Sequence, residues 1–115
     1  MDIQVKVDGD FTILVFNGRL DAVSASAAET VITKAIEDGV RHMIFSLAGL
    51  EYISSAGLRV VLMAAKKMSR QHEKVVLCEL QESVREVFEI SGLLSIFPIA
   101  DTEAAAQSLA VECRS

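Results

Sequence analysis

Apolar and polar positions alternate from the start of the chain: Ile3, Val5 and Val7 are separated by polar residues, the period of a half-buried strand. Asp8-Gly9-Asp10 is a hairpin signal, and Thr12 to Phe16 reads as a second strand antiparallel to the first, ended by Asn17-Gly18. The period then changes. Ala28, Val31, Ile32, Ala35 and Ile36 fall on one face of a helix that follows Asp21; Ser26 and Glu29 have capping-box spacing, and Gly39 stops the helix. Met43 to Leu47 is a buried strand, followed by a turn. A long helix begins at Ser54-Ser55 and runs to Met68, with Leu58, Val61, Leu62 and Ala65 at the spacing of a buried face. It is apolar almost all round between Val60 and Ala65, so it is expected to be covered on more than one side. Its charged residues are Arg59, Lys66, Lys67 and Arg70.

Residues 70–74 form a polar loop, and Val75 to Cys78 a continuous apolar strand. Ser83 and Glu86 again have capping-box spacing, ahead of Val84, Val87 and Phe88 on one face and a stop at Ser91-Gly92. The run from Leu93 to Ile99 contains Pro98, which confines any strand there to a sheet edge. Asp101 or Thr102 caps a last helix through Ala104 to about Leu109, with a frayed tail after it. The order is ββαβαβα(β)α. It predicts one α/β domain over residues 1–115: a mixed sheet of four to five strands with about four helices, parallel pairings joined by right-handed crossovers, and an antiparallel hairpin at the start.

Composition sets bounds on function. The chain has 115 residues and is 51% hydrophobic, enough to fill a core. The net charge of −5 opposes binding to nucleic acid, which rests on neutralising phosphates with Lys and Arg, and to anionic membranes. No apolar stretch reaches the roughly 20 residues of a membrane span, and Met1 to Lys6 lacks the apolar segment of a signal peptide. Two cysteines far apart, Cys78 and Cys113, fit a reduced, cytoplasmic protein, with Cys78 buried in its strand and Cys113 exposed in the tail.

Most catalytic constellations are missing. There is no Gly-x-Ser-x-Gly elbow, Walker loop or Gly-x-Gly-x-x-Gly. His42 and His72 stand alone without ligand spacing around them, and Glu51, Glu79 and Glu82 lie near element ends, where carboxylates are normally just solvated. Met63 and Met68 belong to the apolar helix and read as core. Ser54 and Ser55 stand out by position. The first N–H groups of a helix lack intrahelical partners and carry the positive end of its dipole, so a serine there is a natural cap and a phosphate is electrostatically tolerated. Asp21 likewise reads first as a helix cap. A hydrolytic or nucleotide-binding use of Ser55 with Asp21 lacks a phosphate-cradling loop.

Tyr52-Ile-Ser-Ser-Ala-Gly-Leu-Arg-Val-Val61, taken with Gly18-Arg19-Leu20-Asp21, Val75-Val76-Leu77-Cys78 and Ser91-Gly92-Leu93, resembles the STAS domain of the anti-sigma factor antagonist family. The likeness covers nearly the whole chain in the right order and implies the same α/β order. In that family the block reads Asp-Ser-(Ser, Thr or Ala)-Gly-Leu and its first serine is the phosphoacceptor, which places the acceptor on Ser55 and the preceding Asp on Ser54. Ser46 likewise stands where the family often has Asp. The resemblance implies no catalysis and no cofactor or metal, but a regulator that binds an anti-sigma factor with serine kinase activity through Asp21, Ser54, Ser55, Ala56, Gly57 and Arg59. Phosphorylation of Ser55 by that kinase would release it, and a Ser/Thr phosphatase would reset it. The alternative within the same fold is an adaptor that is never phosphorylated, such as a subunit of a lipid transporter, in which Ser55 is only a cap.

Overall fold

The computed structural model describes residues 1–112. Cys113, expected in an exposed tail, lies outside the described residues. The elements are β1 (Asp2–Asp8), β2 (Phe11–Leu20), α1 (Ala25–Glu37), β3 (His42–Ile53), α2 (Ser55–Ser69), β4 (Val75–Cys78), α3 (Glu82–Ile90), β5 (Ile99–Ala100) and α4 (Glu103–Glu112). The expected order holds throughout, including the short edge strand after Pro98.

The strands lie in the sheet in chain order, β1-β2-β3-β4-β5. β1 and β2 are antiparallel through the Gly9-Asp10 turn, and the other pairings are parallel. Right-handed crossovers that always step in one direction put their helices on one face. α1, α2 and α3 accordingly cover Leu14, Phe16, Phe45, Leu47, Val75 and Leu77 with Ala28, Ile32, Val61, Ala64, Met68, Val84 and Phe88. α4 alone covers the opposite face, over Ile13, Ile44, Val76 and Cys78, through Ala106 and Ala110. The double covering of α2 expected from its apolar circumference is met by the sheet below and α1 beside it, while Leu62 and Met63 remain half-exposed.

Two strand ends differ from the sequence expectation. Asn17-Gly18 does not end β2, which runs to Leu20, and no turn separates Leu47 from Ser54, since β3 runs to Ile53, one residue short of the cap of α2. The register slips twice, between Val15/Asn17 and Gly18/Arg19, where β3 advances from Ser46 to Gly49 and from Leu50 to Tyr52. Each slip is an extra β3 residue, a bulge that bends the strand and reverses which side chains face inward. Leu50 and Ile53 therefore join Leu47 in the core although the strict alternation is broken. At the first bulge a β-carbon on residue 49 would run into the Asn17 side-chain amide and lie 3.0 Å from the Phe16 carbonyl oxygen, so a larger residue there has to push that amide aside.

The two capping boxes are not formed. α1 starts at Ala25 after a turn built by Asp21 and Ser24, leaving Ser26 inside the helix. α3 starts at Glu82 after Gln81, so Ser83 lies within its first turn, and the Gln81 side chain instead donates to the Ala48 carbonyl at 2.6 Å. Thr102, one of two expected caps, accepts the Ala105 N–H at 3.1 Å, and α4 runs to Glu112 rather than Leu109. His42 is buried against the Phe11 ring and 3.9 Å from buried Glu73, a structural place as its isolation in sequence implied.

Candidate functional site

The parallel strands β2 and β3 end side by side, and α2 begins where they end. The Leu20 carbonyl accepts the Ser54 N–H at 2.9 Å, tying the end of β2 to the residue that opens the helix. Ser54 is extended (φ −96°, ψ 176°), as an N-cap must be, and its hydroxyl accepts the Gly57 N–H at 3.2 Å. Its carbonyl accepts Leu58 N–H at 2.8 Å. Gly57 is buried in this joint, and a β-carbon there would stand 2.7 Å from the Leu20 carbonyl oxygen and 2.9 Å from side chains of Leu20 and Ile53.

The two serines thus separate. Ser54 is half-buried and its hydroxyl is committed to the cap; Ser55 is the first residue of α2, exposed, and among the described residues its hydroxyl makes no hydrogen bond. Ala56 is half-buried. Arg59 is exposed one helical turn beyond Ser55, the spacing at which side chains on a helix are neighbours, and makes no ion pair among the described residues.

Asp21 follows the residue that receives Ser54. Its Oδ1 accepts the N–H groups of Val23 and Ser24 at 3.1 and 3.2 Å, and its own N–H is donated to the Ser24 hydroxyl at 3.0 Å. The Ser24 hydroxyl in turn donates to the Arg19 carbonyl at 2.9 Å. The hydrogen bonds from Ser24, opposed by partial desolvation and helped by Val23 and the Arg19 charge, hold the Asp21 carboxyl below its ordinary range, so it is an anion at neutral pH. Asp21 does not touch the Ser55 hydroxyl. It shapes the loop beside it, and its Oδ2 accepts no hydrogen bond among the described residues.

Three surface side chains here escaped the sequence reading. The Arg19 guanidinium lies 4.2 Å from the centre of the Tyr52 ring, across the register pair of β2 and β3. Tyr52 is 40% exposed, and Val23, beside Asp21, is 91% exposed. The first two were hidden because the residues before Ser54 read as a turn. Val23 carried one usable signal, an apolar residue outside the α1 stripe. Ser46, which stands where the family often has Asp, does not belong to the site: it is buried in the middle of β3, opposite Cys78 and on the α4 side. Among the described residues no cluster of His, Cys, Asp or Glu is placed to hold a metal, and no helix is long and apolar enough to cross a membrane.

Ser55, the exposed residue that opens the helix after a parallel strand, is the one on which the sequence resemblance places a phosphoacceptor. The STAS domain family profile matches residues 2–106, and the chain belongs to that family, among its anti-sigma factor antagonists. It is 46% identical over 101 residues, 88% of this chain and 86% of the other, to BtrV of Bordetella bronchiseptica, a protein assigned as an anti-sigma factor antagonist. An anti-sigma factor antagonist structure from Thermotoga maritima superposes with a TM-score of 0.88 at 25% identity, over 94% of this chain and 93% of that one. SpoIIAA of Bacillus in its phosphorylated form shares the fold, with a TM-score of 0.72 at 23% identity over 94% of this chain and 99% of that one.

Proposed function

We propose that the chain is a partner-switching regulator. In its unmodified form it binds an anti-sigma factor that is also a serine kinase, displaces the sigma factor held there and so switches on transcription. The kinase transfers phosphate from ATP to Ser55 and loses its grip, and a Ser/Thr phosphatase restores the binding form. On this reading the chain is a substrate and a switch rather than an enzyme, needs no cofactor and works in the cytoplasm. The observation that carries it is the division of labour between the serines: Ser54 supplies the cap, and Ser55 presents a free, exposed hydroxyl on the rigid first turn of α2. SpoIIAA, of the same fold, occurs in phosphorylated and unphosphorylated forms, which supports the reading.

Position also explains how the switch works. Phosphate adds roughly −1.5 to −2 charges and three acceptor oxygens. The helix N-terminus interacts favourably with that charge by roughly 0.3–1 kcal/mol, so the fold survives. A partner surface closed over Asp21, Ser55, Ala56, Arg59, Tyr52 and Val23 does not, because a dianion forced into it loses hydration and meets Asp21, already anionic. The test is recovery of partners from native lysate on tagged wild-type, Ser55→Ala and Ser55→Asp proteins, identified by mass spectrometry. A kinase-type anti-sigma factor held by the first two and lost by the third supports the switch. Equal partners on all three would leave Ser55 a first-turn residue only and make the chain a constitutive adaptor.

A further inference from the structure

β1 is the free edge of the sheet, and its burial is slight: only Ile3 is half-buried, while Val5 is 50% and Val7 73% exposed. Natural edge strands are normally shortened, bulged, interrupted by Pro or covered, because an open ladder recruits another strand. β1 has seven residues, pairs with β2 in unbroken register and contains no Pro. The pair Asp8–Phe11 closes the two-residue Gly9-Asp10 turn, and a closing pair of that kind is hydrogen-bonded. By alternation Lys6, Gln4 and Asp2 also spend their backbone groups on β2, and Ile3, Val5 and Val7 point theirs outward. Odd-numbered side chains lie on the α1 side of the sheet and even-numbered ones on the α4 side, where Lys6 meets Glu103 at 3.2 Å and Asp8 meets Gln107 at 3.1 Å.

The geometry points to a second copy of this chain as the occupant of that edge, joined β1 to β1 about a two-fold axis at Gln4. Only residues whose backbone groups both point outward exchange ladder bonds, so odd residues must face odd ones. Centring the axis on Val5 sets Asp2 against Asp8, and centring it on Lys6 sets Lys6 against itself; both oppose like charges. Centring it on Gln4 sets Asp2 against Lys6 of the second copy twice, Gln4 against Gln4, Ile3 against Val5, and Met1 against Val7. The exposed apolar side chains Met1, Val5 and Val7 are thereby all covered, and every charged side chain inside the paired segment meets its opposite. The Lys6 ammonium has three donors and serves Glu103 and the incoming Asp2 together. The contact is isologous, as a two-fold dimer requires, and joins the two sheets into one.

The proposal makes no use of Ser55 and stands or falls apart from the switch. Sedimentation equilibrium of the wild type, from low micromolar to near-millimolar, is expected to show mass rising toward that of a dimer. Asp2→Lys alone and Lys6→Glu alone each weaken the dimer by about tenfold or more, because each turns both charge pairs of the interface into like pairs. An equimolar mixture of the two variants restores it, because the lysine introduced in one chain meets the glutamate introduced in the other, and the remaining Asp2–Lys6 pair keeps its native signs. Gln4→Cys in a Cys113→Ser background crosslinks between chains on oxidation, since non-hydrogen-bonded pairs have Cα atoms about 4.5 Å apart, within disulfide reach; Val7→Cys does not. A wild type that stays monomeric, a dimer indifferent to both charge reversals, or a mixture no tighter than its components overturns the proposal, with circular dichroism checking that each variant is folded.

Discussion

The carbonyl oxygen of Leu20 stands 2.7 Å from the point where a β-carbon on Gly57 would lie, and the same oxygen accepts the Ser54 N–H at 2.9 Å. The end of β2 is thus bolted to the first turn of α2, and the glycine is demanded by closeness of approach rather than by an unusual backbone angle. Gly57→Ala improves intrinsic helix propensity by up to about 1 kcal/mol. The joint nevertheless has to open, and overpacking of this kind costs about 1–3 kcal/mol. The expected net result is a loss of stability in urea unfolding of up to about 2 kcal/mol, accompanied by weaker binding of the partner although residue 57 is hidden from it. An alanine variant at least as stable as wild type would mean the joint is loose.

The cap and the acceptor make opposite predictions. Ser54→Ala leaves the Gly57 N–H without its bond and is expected to cost about 1 kcal/mol. Ser54→Asp keeps the acceptor and adds a negative charge at the helix N-terminus, for a gain of a few tenths to about 1 kcal/mol. Ser55→Ala removes a hydroxyl that bonds nothing among the described residues, and its stability is expected within about 0.5 kcal/mol of wild type. Denaturant midpoints of the three variants measure all of this, and a Ser55→Ala loss as large as that of Ser54→Ala refutes the division between the two residues.

Period and punctuation made most of this fold legible. The strand alternation of Ile3, Val5 and Val7, the 3.6-residue stripe from Ala28 to Ile36, and the stops at Gly39 and Gly92 all correspond to observed elements. The strand ends did not show, for a physical reason: the two bulges opposite Asn17 and Arg19 break the alternation of β3 after Leu47, so Ala48 to Ile53 lost the period that marks a strand. The error propagated to the site. With residues 48–53 read as a turn, Tyr52 had no partner, and its stacking with Arg19 was invisible. Capping boxes were misplaced because a spacing such as Ser26–Glu29 or Ser83–Glu86 is satisfied equally well inside a helix. Ser54 and Ser55 were placed correctly at the helix start because the cap is written in adjacent residues, whereas Gly57, expected on the partner-binding surface, is buried against Leu20 and Ile53. The bonds of Asp21 to Val23 and Ser24 did not show, since a cap and an Asx-type turn use the same residue type.

The low pKa of Asp21 has a testable sign. Bonds from Ser24 and Val23 favour the anion in the folded chain, so the folded pKa lies below the ordinary 3.8. The stabilisation is present above that ordinary value and is lost as pH falls through the folded pKa. Asp21→Asn retains an oxygen acceptor for the two N–H groups and abolishes the charge. Wild type should therefore be the more stable at pH 7, with the difference shrinking as pH falls below about 4, read from urea midpoints across that range. A constant difference would assign the effect to the hydrogen bonds alone. The same variant removes the anion that follows Leu20 at the Ser54 joint and, if the proposed switch holds, is expected to soften the effect of Ser55→Asp on partner binding.

Cys78 supplies a prediction at the opposite end of the scale. Its thiol is fully buried between β4 and α4, across the β3–β4 pair from Ser46, and burial, aided by the charges of Glu79 and Glu103, pushes its pKa from 9.0 to about 12. The thiolate is the reactive form, so native Cys78 should resist iodoacetamide at pH 8 and be alkylated at full rate only in denaturant, as peptide-resolved mass spectrometry will show. The stability consequence has a defined window. The folded chain keeps this proton up to about pH 12 and the unfolded chain loses it above 9.0. The contribution is therefore complete below pH 9.0 and declines as pH rises from there toward 12. Cys78→Ala forfeits some packing at pH 7, at a cost of about 1 kcal/mol, but is expected to lose less stability than wild type between pH 8 and 10. Parallel declines for the two proteins, or rapid native alkylation, would show that the thiol is reached by solvent and that α4 does not seal this face of the sheet.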